Sequence, residues 1–400
     1  MSASDYSSSD HEETEQSLVR HSDLWFVDGS IVLRAENTLF RVHMSQLSRR
    51  SAFFRDLFSL PQPATRLLPS VADSDALDEL DVSSQSTMLE GCPVLHLQDA
   101  AEDLSCTLKA LYDGPNLGTN DREDFQVVSG ILRISTKYII DSLRAKALEH
   151  LSIAWPLTLK GWDAREDLAH AYELEHASHR GHLYPSPIAV INLAREIDAP
   201  ELLPSAFYDL SRYHFTQIFE PGDDEPLGPA SLSLSDMQKL ALGKEASQHA
   251  VTGLIQSMAS GTHRESALPP HLAMVHNRRR SSGQICVSAG ACRKDFAELV
   301  DLATQHYLFD RERGCSDPLY VAEELGQLKS AEFSECKACA KSLEAWAARE
   351  RERMWKLIPS WFRLDAYGLG SRTRDVSLEH EPKVEQRRSG QSSLRLIPRR

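Results

Sequence analysis

The stretch TLFRVHMSQLSRRSAFFRDLF, residues 38–58, constrains the fold more than any other part of the chain, because its hydrophobic period changes partway along. Up to Val42 apolar and polar residues alternate, as in a half-buried strand. From Met44 onward Leu47, Ser51, Phe54 and Phe58 recur at intervals of three or four, as on one helix face. A strand therefore hands over to a helix at His43. Upstream, residues 23–43 carry β-branched and aromatic residues on both sides of Glu36-Asn37, a polar pair that tolerates a tight turn, so a hairpin is predicted there. Ser45 is placed to cap the helix that follows.

The rest of the chain reads mainly as helix. Residues 61–90 are rich in Pro, Ser and Asp without sustained period and predict a long loop, followed by a strand at CPVLHL, residues 92–97. Ala101, Leu104, Leu108 and Leu111 share a helical face that runs into Tyr112-Asp113-Gly114-Pro115, where Gly and Pro stop it. A stripe from Val128 to Leu151 is long enough for two helices that pack together. Beyond Pro156, further segments with apolar residues every three or four positions are separated by polar loops at 221–230 and around residues 260–285.

Length and charge narrow the class. Four hundred residues suit two or three domains, and a formal charge of −14 opposes broad attraction to nucleic acid or to anionic membranes. Seven Cys are sparse and odd in number for a disulfide framework. No apolar leader follows the polar start, and no uninterrupted apolar run approaches the roughly 18 residues of a membrane span, so an intracellular, soluble chain with reduced thiols is expected, cytoplasmic or nuclear. The expected organisation is α+β: an acidic disordered tail at 1–20, a mixed domain at 21–153 interrupted by the loop 61–90, a mainly helical region at 154–365 and a basic disordered tail at 366–400.

The order hairpin, helix, short strand, helix ending in Tyr-x-Gly and helix pair resembles a known family. Phe40, Val42, His43, Leu47, Ser51 and Phe54, continued by Phe58, match the pattern F-x-a-H-x-x-x-L-x-x-x-S-x-x-F of BTB/POZ domains. Tyr112-Asp113-Gly114 matches their Tyr-x-Gly element, and Leu132, Tyr138 and Leu143 stand where the family's paired helices pack. Residues 23 to about 153 are similar to the fungal branch of BTB proteins, and the remaining helical part resembles that branch more loosely. The resemblance implies a non-enzymatic protein–protein interaction module that forms a homodimer or a heterodimer with another BTB protein. It further implies a possible substrate adaptor for a cullin-based ubiquitin ligase, with Phe40, His43, Leu47, Phe54, Phe58 and Tyr112 as interaction residues. Two departures stand out: Met44 replaces the family's usual Arg or Lys, and the family's early Asp is either Asp23 or Asp28. The alternative is a BTB-type transcriptional or chromatin-associated regulator, for which Arg278-Arg279-Arg280 would serve nuclear entry, although no DNA-binding motif accompanies it.

Candidate chemistry is thin. No nucleophile elbow, phosphate loop or His-Glu-x-x-His helix occurs, so no catalytic or cofactor-binding residues are assigned and His43 is expected to pin the strand-to-helix junction. His170, His176, His179 and His182, with Glu173 and Glu175, are dense enough to suggest a metal, but Gly181 and Pro185 suggest a helix end, where the dipole favours His. Cys336-Lys337-Ala338-Cys339, with Cys286, Cys292 and Cys315 upstream, supplies candidate ligands for a structural zinc, Cys286, Cys292, Cys336 and Cys339 being the set assigned; the plainer alternative is a helical pair of small buried thiols. The mixed-charge segment AARERERMW, residues 347–355, reads as a terminal helix docked on its own domain through Leu343, Trp346, Met354 and Leu357, or else as a face for a partner helix.

Overall fold

The computed structural model describes residues 17–60, 88–175, 183–219, 231–259, 289–309, 316–327 and 336–364. The chain is mixed α/β, with a small curled sheet at the N-terminal end followed by helices. The sheet contains β1 (Val19–Trp25), β2 (Ile31–Ala35), β3 (Thr38–Val42), β4 (Met88–Leu89) and β5 (Cys92–Leu97) in the order β1-β3-β2-β5-β4. The hairpin expected around Glu36-Asn37 is β2 and β3, paired antiparallel from Ile31↔Val42 to Ala35↔Thr38, with Glu36 in the left-handed region at φ 50°. Residues before it form the parallel edge strand β1, which begins at Val19, inside the segment expected to be tail. β5 adds to β2 in parallel, and Met88–Leu89, expected as loop, pairs antiparallel with it.

Alternation sorts the sheet residues onto two faces. Ile31, Leu33, Ala35, Phe40, Val42 and Leu97 point into the main core. Val32, Leu39 and Cys92 form a second small cluster on the other face, against which Leu18, Trp25, Leu89 and Val94 pack. Helices α1 (Met44–Arg50), α2 (Ala52–Ser59), α3 (Ala101–Tyr112), α4 (Arg122–Lys137) and α5 (Asp141–Ala154) cover the main-core face.

The helix expected across residues 44–58 is two helices. Ser51, whose spacing had suggested a face position, sits in extended conformation as the N-cap of α2. Its hydroxyl oxygen accepts the Phe54 N–H at 3.0 Å and its O–H donates to the Tyr138 carbonyl at 2.5 Å. A Ser side chain that satisfies the first turn of one helix while anchoring the end of α4 makes a continuous helix the poorer arrangement. Nor does Ser45 cap α1: the cap position is His43, and the Met44 N–H is taken by the Ser30 hydroxyl at 2.9 Å.

Helices α6 (Leu159–Glu175), α7 (Pro187–Glu196), α8 (Leu203–Ser211), α9 (Phe215–Phe219), α10 (Leu234–Ala259), α11 (Ala289–Ala303), α12 (Pro318–Gln327) and α13 (Lys337–Trp361) follow. A single cluster of buried apolar side chains runs from Leu24 to Leu364, across the boundary expected near residue 153. The terminal helix α13 lies on its own chain: Leu343, Trp346 and Met354 are buried, and the following Phe362 stacks on Phe207 of α8 at 5.3 Å. Among the described residues no helix is long and apolar enough to cross a membrane.

Candidate functional site

His43 is held from both sides. Its backbone N–H donates to the Tyr112 hydroxyl at 2.9 Å, its Nδ1 lies 2.8 Å from the same oxygen, and its Nε2 lies 3.2 Å from Asp28 Oδ1. A neutral imidazole with its proton on Nε2 satisfies all three contacts: the Tyr112 O–H donates to Nδ1, and Nε2–H donates to Asp28. Hydrogen bonding to His43 holds the exposed Asp28 carboxyl below its ordinary range, and burial raises the Tyr112 phenol. Phe26 completes the cluster, stacked on Tyr112 at 4.6 Å. The imidazole therefore ties the β3–α1 junction to the last turn of α3. Of the two aspartates suggested for the family position, Asp28 meets His43, and Asp23 lies 3.5 Å from Lys109.

The other expected interaction residues divide by burial. Phe40, Leu47 and Phe54 are at most 2% exposed and cannot touch a partner; Phe54 stacks on Tyr138 at 5.0 Å and on Phe58 at 5.8 Å. They support a surface from beneath. On α2 the large apolar side chain facing solvent is Phe53, 38% exposed, with Phe58 partly buried beside the core. Helical spacing marked the apolar face correctly but cannot say which apolar residue on a short helix faces out, because that depends on where α4 and α5 pack.

In the helical part, side chains from three elements converge at a cavity of about 660 Å³ that the sequence pattern did not signal. Arg165 of α6 is almost fully buried, with its guanidinium 4.8, 4.7 and 4.5 Å from the ring centres of Trp155, Trp162 and Tyr184. It donates to Asp209 of α8 at 2.6 Å and to Glu166 at 2.5 Å. Arg212, just after α8, donates to Asp209 and Glu166, both at 2.6 Å, and to Asp317 at 3.3 Å. Tyr208 donates to Asp317 at 2.6 Å and accepts the Leu319 N–H at 3.2 Å, which docks the start of α12. Burial raises the proton affinity of the Asp209 carboxyl, but Arg165 and Arg212 lower it by more, so the group stays ionised below the usual carboxylate range. Nearby, burial lowers Lys244 to about 8 while its ammonium donates to the Ser211 and Tyr213 carbonyls at the end of α8. Arg165, Glu166, Asp209, Arg212 and Asp317 form one connected set of ion pairs at the cavity, and with the ring cage they knit α6, α8 and α12 together.

The candidate metal ligands fall in two groups. His170, Glu173 and Glu175 are exposed on α6, and His176, His179 and His182 lie outside the described residues. Cys292 of α11, Cys336 at the N-cap of α13 and Cys339 in its first turn are brought together, all buried, with their sulfur atoms within 4.8 Å of one another. Cys286, Cys315 and Arg278-Arg279-Arg280 lie outside the described residues. Comparison of the chain with protein-family models finds no match, and comparison with curated proteins finds none either.

Proposed function

We propose that the chain is a non-enzymatic interaction protein that dimerises, with itself or with a related chain, through the BTB-like unit formed by its sheet and α1–α5. The observation that carries this reading is β1. It is a seven-residue strand at the edge of the sheet; among the described residues it pairs with β3 alone, in register at Val19, Arg20 and Trp25, and Val19 is 57% exposed. An edge strand can accept a strand from a second chain, and the exposed Val19 adds apolar burial on association, although the Asp23 and Leu24 N–H groups of β1 are already bonded to His21 Nδ1. The element order hairpin, helices, strand, helix and helix pair, with Tyr112 pinned to His43, supports the BTB assignment.

The finer role is adaptor: α2 with Phe53 and Phe58, α3 and the segment 116–124, which leads into the first turn of α4, would contact a cullin, and the helical part would carry the substrate. Light scattering coupled to size-exclusion chromatography on the full chain tests the first claim. A dimer at micromolar concentration is expected, and a strict monomer refutes it. Binding of the folded chain to an immobilised cullin N-terminal domain tests the second, with Phe53→Asp expected to weaken it; no binding by a folded dimer refutes the adaptor role.

A further inference from the structure

We propose that Cys292, Cys336 and Cys339 form a three-thiolate site for a soft divalent cation, zinc being the natural occupant, which clamps α11 to the start of α13. A pair of cysteines at i and i+3 on one helix needs no ligand to explain it, since both fill space as small apolar groups. The third thiol changes the case. Cys292 comes from a different helix, well upstream in sequence, and its sulfur reaches the same point, within 4.8 Å of the other two.

The spacing suits a metal. Sulfur ligands placed tetrahedrally about 2.3 Å from zinc lie roughly 3.8 Å apart, so about an ångström of side-chain adjustment closes the site. All three residues are at most 6% exposed, which shields the bonds from water and from competing thiols. Cys336 is the N-cap of α13, a 25-residue helix, and Cys339 lies in its first turn, so one turn of backbone holds both sulfurs near that of Cys292. Three protein thiolates leave a fourth position for a further donor. Binding converts three thiols to thiolates and releases up to three protons per metal, so affinity rises with pH.

The test uses the full chain purified without chelator. Zinc content of about one per chain that survives gel filtration is expected, and it is lost in Cys292→Ser, Cys336→Ser and Cys339→Ser while Cys106→Ser retains it. Because a variant can lose metal by unfolding, the same question is put to the unaltered chain with Co²⁺ alone. Intense thiolate-to-cobalt charge-transfer absorption, with visible bands of tetrahedral strength, is expected. Folded protein with neither zinc nor cobalt absorption overturns the site. So does mass spectrometry after alkylation that finds Cys336 and Cys339 joined in a disulfide, or a folded triple variant that still binds the metal.

Discussion

Asp209→Asn removes one charge from the buried network at the cavity and keeps the shape of the side chain. Asp209 is 4% exposed and receives one hydrogen bond from Arg165 and one from Arg212, both at 2.6 Å. Breaking a buried ion pair by neutralising one partner costs about 3–5 kcal/mol, because the other charge stays desolvated without its counter-ion. Here Glu166 still contacts both guanidiniums and three aromatic rings still face Arg165, so the loss belongs at the lower end, about 3 kcal/mol. Against a typical total stability of roughly 5–15 kcal/mol that is readily measured by urea unfolding followed by circular dichroism.

The pH dependence gives an independent check. The folded-state pKa of Asp209 lies below its unfolded value, so its contribution is complete above about pH 4 and fades as pH falls through the depressed folded value. The gap between the parent and Asp209→Asn should therefore narrow on acidification and stay constant between neutral pH and about pH 5. In an Arg165→Met background the same substitution should cost at least about 1 kcal/mol less, since one of the two stranded cations is gone. A loss under about 0.5 kcal/mol at pH 7, or no coupling to Arg165, would refute the claim that this network ties α6 to α8.

Two further perturbations probe the packing. An added Cβ at Gly243 of α10 would lie 1.9 Å from Phe362 Cε1 and 2.0 Å from Cδ1, in contact with a fully buried ring. Gly243→Ala should therefore destabilise by about 1–2 kcal/mol net, overpacking exceeding the helix-propensity gain, and Phe362→Leu in the same chain should recover part of it; urea midpoints decide. Tyr112→Phe leaves the His43 N–H and Nδ1 without their partner and should cost about 1–3 kcal/mol, with His43→Gln costing less; equal stability of Tyr112→Phe and parent would remove the pin.

Local spacing carried a large part of the fold. The change of period at His43, the stop after Tyr112 and the paired stripe before residue 153 each depend on neighbours within a few positions, and each emerges as an element close to its expected limits. That His43 ties down the strand-to-helix junction was legible because it stands where the hydrophobic period changes, but its partners Tyr112 and Asp28 were not. Ser51 was misplaced because a Ser at face spacing and a Ser at a cap look alike until the Tyr138 carbonyl is beside it. Phe40, Leu47 and Phe54 were recognisable as anchors, but whether an anchor faces a partner or a core depends on the elements packed over it.

By itself the sequence determined the hairpin β2–β3, the strand β5, the helix α3 and the helix pair α4–α5, since these follow from side-chain chemistry repeated along a short length of chain; it missed β1 as a strand of its own, β4 and the break at Ser51. Tertiary structure alone decided that β1 adds to β3 in parallel, that Arg165, Asp209 and Asp317 meet at one cavity, and that Cys292 reaches Cys336 and Cys339. Each of these joins residues from separate elements, and such meetings are set by how all the apolar faces are buried together, which no local spacing encodes.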